Sequence, residues 1–197
     1  MARKIDEDKL VRIKQATMKT IVDCGIEKTT IAMIAKNANV SGGYLYRLYS
    51  GKQDLINELY YEKVASLNTE LEFLIGLNQT SVASILQAFL QNRVVYVKNE
   101  PIASNFFYQL LHNDNFTLTT ELQEKSIHLI KEIKRIGNET GEIAANTTLM
   151  QIQFHLLTYV VDYIQFKRKD FLGTQETLNI NVDYLVHNIL TILKKGN

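Results

Sequence analysis

Proline occurs once, at Pro101, and cysteine once, at Cys24, in a chain of 197 residues that has no tryptophan. A lone cysteine excludes an internal disulfide, which suits a reducing compartment and removes the cross-linked scaffolds of small secreted proteins. It ends an amphipathic segment and is expected to be a small packed residue rather than a redox sensor. One proline and nine glycines interrupt the chain so rarely that long helices are the natural reading. No apolar run approaches the roughly 18 residues of a membrane helix, and the stretch MARKIDEDKL lacks the apolar core of a signal peptide. A cytoplasmic chain without membrane contact is therefore expected. The Asn-x-Thr triplets at Asn78, Asn115, Asn138 and Asn146 then read as turns and caps, not glycan acceptors.

Charge of one sign is also scarce overall, with a net of +1, but it is unevenly placed. The first 53 residues hold ten basic and five acidic side chains, a balance of +5, and the remainder carries −4. A basic end on an acidic body suggests an anionic partner at that end.

Apolar positions at Leu10, Ile13, Thr17, Ile21 and Cys24 recur at helical spacing and predict a helix over 7–24, closed by Gly25. Thr29 or Thr30 can cap a second helix, whose Ile31, Ile34, Ala35 and Ala38 share a face. Asn39 can supply a positive φ in the turn that follows, and Ser41 can cap a short third helix. A fourth opens at Gly51-Lys52 and runs to about Ile75. Further helices are predicted over 81–98, 101–112, 118–138, 147–168 and 176–195, with a capping box at Thr120 and Gln123. Nothing reads as a sheet. The fold class is all-α.

Two short helices joined by Ala38-Asn39-Val40 make a helix-turn-helix, which places its second helix in the DNA major groove. At 100° per residue, Leu45, Leu48 and Tyr49 lie on one side and Gly43, Tyr44, Tyr46 and Arg47 spread over the other. Two glycines, two tyrosines and an arginine are an odd choice for mere solubility. Gly42 and Gly43 would let the backbone come close to a phosphate, and tyrosine hydroxyls can bond phosphate oxygens. Arg47 could bind phosphate or read guanine, Lys52 could add a second phosphate contact, and Thr29 or Thr30 a third. The candidate DNA-binding residues are thus Thr29, Thr30, Ser41, Gly42, Gly43, Tyr44, Tyr46, Arg47, Tyr49 and Lys52. Singly each has an ordinary structural explanation, tyrosine as half-buried packing above all. Their order and spacing favour DNA.

The string TTIAMIAKNANVSGGYLYRLYSGKQDL, with IVDCGIEK before it, resembles the TetR/AcrR family of bacterial transcriptional regulators. The resemblance is strong over the first quarter of the chain and otherwise extends to length and helical organisation. It implies a three-helix DNA-binding domain, taken as 1–53, and a helical ligand-binding and dimerisation domain, 54–197. It implies phosphate contacts by Tyr46 and Lys52, and groove-facing roles for Gly42, Gly43, Tyr44 and Arg47. Glycine at 42 departs from a position often basic in the family, Leu48 from one often His or Tyr, and Asn39 from the usual turn glycine. The first two departures remove phosphate contacts and shift affinity onto Tyr44, Arg47 and the N-terminal Ala2-Arg3-Lys4.

In the larger part, TTLMQIQFHLLTYVVDYIQFK is apolar nearly all round and must be buried on most of its surface. Ile152, Leu156, Tyr159, Tyr163 and Phe166 form one stripe, with Leu149, Val160 and Ile164 on another; the last helix adds Val182, Leu185, Val186, Ile189 and Leu193. The resemblance implies that two such helices pair with those of a second copy, through Ile152, Leu156, Tyr163, Val182, Leu185 and Ile189. An ordinary interior explains either stripe equally well. A homodimer would match a palindromic operator. A hydrophobic or aromatic small-molecule effector would suit an apolar pocket with a few polar groups, for which the candidates are Phe107, Tyr108, Leu111, His112, His128, His155 and Tyr159. Aromatics at helical spacing more often form core.

No catalytic residue, metal ligand or cofactor is expected. The four histidines show no metal-ligand spacing, and His155 with Asp162 lacks a nucleophile or oxyanion device. SGKQ fails as a nucleotide loop because Tyr46 and Gln53 stand where glycine and Ser or Thr are required. The expected function is a ligand-responsive transcriptional regulator, with repression the direction that the family resemblance implies and a helical protein-interaction module as the alternative.

Overall fold

A computed structural model describes residues 6–78, 80–113, 115–170, 173 and 179–196. The described residues form helices and turns, with no strand among them. In chain order these are α1 (Glu7–Cys24), α2 (Ile31–Asn37), α3 (Gly42–Leu48), α4 (Lys52–Leu77), α5 (Val82–Asn99), α6 (Pro101–Leu111) and α7 (Thr120–Thr140). Then follow α8 (Leu149–Gln153), a π-helical turn over Phe154–Thr158, α9 (Tyr159–Lys169) and α10 (Val182–Lys195). The N-terminal Ala2-Arg3-Lys4 and the expected start of the last helix at 176 lie outside the described residues.

Two compact units divide these elements. The first holds the chain up to Lys63 together with Glu100–Thr117; the second holds Val64–Asn99 and the chain from Leu118 onward. The first unit is larger than the segment 1–53, because α6 packs into it. Phe106 and Leu110 of α6 are buried with Ile21, Ile56 and Leu59, and Phe107 lies against them. A second cluster in this unit joins Ile13, Ile31, Ile34, Ala35, Leu45, Tyr49 and Leu55, so α1 to α4 share one interior. Buried hydroxyls there are satisfied locally: Thr17 and Thr20 donate to the carbonyls of Ile13 and Ala16, at 2.7 and 2.6 Å. Cys24 is exposed, not packed, because the stripe of α1 that faces inward ends at Ile21.

The second unit has one apolar interior drawn from every helix in it, including Leu71, Leu86, Phe89, Leu129, Ile133, Ile152, Leu156, Val160, Ile164, Leu185 and Ile189. Glu142, in the turn after α7, closes the start of α5. Its carboxylate accepts from the Val82 and Ala83 amides at 2.7 and 3.0 Å and from the Thr140 hydroxyl at 2.7 Å. Gly137 is required by close approach, since a Cβ there would meet Ile143 Cγ1 at 2.5 Å. The α7 cap is Thr119, which accepts from the Leu122 amide at 3.3 Å, not Thr120. The capping box occurs instead at Thr148 and Gln151.

Two expectations for this unit are corrected. Ile152, Leu156, Val182, Leu185 and Ile189 are buried inside the chain's own core and have little surface left for a second copy, while Tyr163 is half-buried against it. The stripes also regroup: Val160 and Ile164 join Ile152 and Leu156 in the interior, while Phe166 is exposed. The π-helical turn explains this. It takes one extra residue per turn, so everything after Thr158 sits about 100° behind its place in an unbroken α-helix.

Candidate DNA-binding face

Local chemistry builds α2 and α3. The Thr30 side chain accepts from the Met33 amide at 3.2 Å, and Ser41 from the Tyr44 amide at 3.2 Å, so each helix begins at a side-chain cap. Between them Asn39 takes φ 53°, the left-handed conformation that asparagine tolerates better than most residues. Asn37 donates to the Thr20 hydroxyl at 2.9 Å and ties α2 to α1.

Leu45 and Tyr49 anchor α3. Both are buried, and the Tyr49 hydroxyl donates to Glu58 at 3.1 Å. Burial pushes the Tyr49 phenol far above its usual range, and the Glu58 charge adds to this, so the hydroxyl stays a neutral donor. Lys14 of α1 pairs with Glu58 at 3.1 Å and also with Glu62, holding α1 on α4. Tyr49 is therefore an anchor and not part of the outward face, a correction to its place among the DNA-binding candidates. Thr29 is corrected likewise: it is buried and donates to the Gly25 carbonyl at 2.8 Å.

What faces outward is a different set. Tyr46 is 64% exposed, and Ser41, Gly43 and Arg47 are exposed beside it. A Cβ added at Gly42 or Gly43 would meet nothing within 4 Å, so the protein's own packing gives no reason for glycine at either position. Tyr44 is half-buried, and two cations attend its ring: the Arg47 guanidinium at 5.1 Å and Lys9 of α1 at 5.6 Å. Lys9 was not among the residues singled out from sequence. Its separation of 35 residues from Tyr44 hides the contact; its only sequence signal is the basic excess of this end. Lys52 donates to the Ile26 carbonyl at 2.6 Å, so its ammonium is held at the start of α4. This arrangement offers three cations, exposed hydroxyls and backbone free of side chains on one short helix and its neighbours, the donor set that contacts a phosphate backbone.

The pocket candidates fall in two groups. Phe107, Tyr108, Leu111 and His112 belong to the first unit. There Phe107 packs edge-on against Phe106, Tyr108 lies 4.5 Å from the His112 ring, and Leu111 and His112 are exposed. His128, His155 and Tyr159 belong to the second unit; His128 is exposed, and His155 sits in the π-helical turn, 6.0 Å from the Tyr159 ring. Among the described residues no three His, Cys, Asp or Glu side chains gather as a metal site, and no helix is long and apolar enough to cross a membrane.

Residues 13–59 match the family described as bacterial regulatory proteins, tetR family. The HTH-type transcriptional regulator BetI of Vibrio atlanticus (strain LGP32) is 27% identical over 132 residues, covering 64% of this chain and 66% of that protein, just under two thirds of its length. A TetR family transcription regulator from Marinobacter aquaeolei VT8 superposes with a TM-score of 0.73 at 17% identity, covering 94% of this chain and 95% of the other. The FadR transcriptional regulator of Bacillus subtilis, solved with stearoyl-CoA, gives a TM-score of 0.69 at 18% identity, covering 95% and 99%. At these identities the two structural likenesses are likenesses of fold.

Proposed function

We propose, from the match of residues 13–59 to bacterial regulatory proteins of the tetR family, that this chain is a transcriptional repressor that binds a palindromic operator as a homodimer and is released by a hydrophobic or aromatic effector. One observation carries the DNA reading: Tyr46 and Arg47 stand exposed on a helix whose opposite side is locked by Leu45 and Tyr49, beside two glycines that nothing inside the protein requires. Tyr46 and the Thr30 and Ser41 hydroxyls would bond phosphate oxygens, and Lys9 and Lys52 would supply charge. Arg47 and Tyr44 would reach base edges or the sugar, with Gly42 and Gly43 allowing the close approach. Residues 1–53 would do the reading, and 54–197 would hold the effector and the partner copy.

The second copy would dock not on the buried stripes but on what the same helices leave outside. Met150, Phe154 and Phe166, with Tyr184 and Ile192 of α10, are large apolar side chains exposed in a single chain, Met150 at 79%. An apolar effector is supported by the largely apolar interior of the second unit and by the stearoyl-CoA held in the FadR relative. Its binding would shift the population away from the dimer arrangement that fits the operator. Such a protein works in the cytoplasm, where its DNA is.

The test is binding of the purified protein to DNA from its own upstream region across a salt series, with a scrambled duplex as competitor. Selective binding that weakens steeply with salt is expected. Salt-insensitive binding, or none to any duplex in a random-sequence selection, would leave a protein-interaction module instead.

A further inference from the structure

Arg93 of α5 has a largely buried guanidinium with most of its hydrogen-bonding capacity unspent. Its guanidinium lies over the Phe89 ring at 4.8 Å, and Phe89 is itself a core residue. The Tyr96 ring, one turn on, is 5.9 Å away. One nitrogen, Nη2, pairs with Glu70 of α4, and Glu70 also accepts from Asn92 at 2.8 Å. Both Nε and Nη1 are buried and have no hydrogen-bond partner. Burial depresses the Arg93 pKa and the Glu70 charge opposes that, but a guanidinium starts so high that it remains a cation.

A buried cation needs a counter-charge and acceptors for its protons. Glu70 supplies the first but reaches only one of three nitrogens. An ion pair kept only to join α4 to α5 would be served by two matched edges; here two nitrogens of a rigid planar donor remain beside an apolar interior.

We propose that Arg93 is the head-group anchor of the effector site in the second unit, taking the carboxylate of an otherwise apolar ligand at Nε and Nη1. This rests on the reading of that unit as effector-binding. The acceptor is a singly charged carboxylate rather than a phosphate dianion, because Glu70 already pairs with the guanidinium, so a carboxylate leaves one uncompensated negative charge at the site and a dianion would leave two. The apolar body follows from Phe89 and the leucines and valines of the core around it. Glu70 and Asn92 are positioning residues: they fix the plane of the guanidinium and touch no ligand.

Decanoate and 1-decanol share an alkyl chain and differ at the head, so they are the probes. Calorimetric titration of the full chain below the micellar range should show decanoate binding about tenfold or more tighter than decanol. Arg93→Met should erase that preference by weakening decanoate far more than decanol, with helical content checked by circular dichroism. Should Arg93→Met fail to fold, Arg93→Lys keeps the charge without the planar fork and should cut the preference severalfold. Glu70→Gln, which removes the competing charge, should tighten decanoate. Equal binding of the two probes, no binding of either, or a preference that survives both arginine variants would overturn the proposal and leave Arg93 a structural tie. Release of operator DNA by neutral apolar compounds, with decanoate inert, would overturn it while the effector reading stands. If no compound of either kind alters operator binding, the effector reading falls with it.

Discussion

Replacing Glu142 by glutamine keeps the shape of the side chain and removes its charge and one acceptor oxygen. In the wild-type chain that carboxylate satisfies two of the first amides of α5 and two hydroxyls, those of Ser81 and Thr140, at 2.7 to 3.3 Å. Losing a helix cap costs about 0.5–2 kcal/mol, and losing a negative charge at a helix N-terminus about 0.3–1 kcal/mol. Because glutamine still offers one oxygen, and the group is partly solvated, we expect Glu142→Gln to cost about 1–2 kcal/mol at neutral pH, or about 2–8 °C in Tm. The pH dependence gives the sharper test. Partial burial alone would raise the Glu142 pKa, but the bonds from Ala83, Thr140, Val82 and Ser81 outweigh it and hold the carboxyl below its ordinary value. A depressed folded-state pKa contributes stability that is complete above the unfolded-state value and is lost as pH falls through the folded one. The gap between wild type and variant should therefore be constant from pH 7 down to about 5, begin to narrow near the ordinary glutamate value of about 4.3, and close as pH falls through the lower folded-state value. Thermal melts followed by circular dichroism across that range measure it. A gap that persists unchanged into the acid, or that is absent at pH 7, would refute the capping argument.

The DNA face yields three further expectations. Tyr46→Phe should leave Tm unchanged, because no hydrogen bond inside the described protein uses that hydroxyl, yet weaken operator binding about fivefold or more with an unaltered salt slope. Arg47→Ala should weaken binding and reduce the salt slope by roughly one if it meets phosphate, or relax one base preference if it reads guanine; fluorescence anisotropy on a panel of duplexes separates these. Lys9→Ala should reduce the salt slope by roughly one with little effect on base preference, and an unchanged affinity would remove α1 from the interface. In the second unit, Gly137→Ala forces a methyl onto the buried Ile143 and should destabilise by about 1–3 kcal/mol in urea unfolding, despite the better helix propensity of alanine.

Much of the candidate site was legible because its determinants are local. Thr30 and Ser41 cap the helices they precede, Asn39 bends the turn between them, and Leu45 points inward where its angle on α3 requires. Tyr49 shows where local reasoning fails: its angle placed it with the anchors, but only Glu58, nine residues away on the next helix, fixes its hydroxyl inside. Lys9 was missed for the same reason, since its partner ring belongs to a helix far along the chain. The packing of α6 into the first unit is a long-range contact with no periodic signature. Periodicity also tells which face of a helix is apolar without telling what covers it, and that is why Leu185 and Ile189 could be read as an interface when the chain covers them itself.

Deleting a residue from the middle of a core helix ordinarily ruins a protein, because every later side chain is turned by about 100°. The surplus residue in Phe154–Thr158 reverses that expectation. With Thr158 removed, an unbroken α-helix would bring Val160 and Ile164 to the angles they already occupy, beneath the same neighbours. A shortened gene would then encode a more regular helix with the same interior, whereas straightening that turn without shortening it would swing Tyr159 and Tyr163 inward and expel the aliphatic pair. The stretch around His155 is accordingly the place in this chain where length and sequence can be traded against each other.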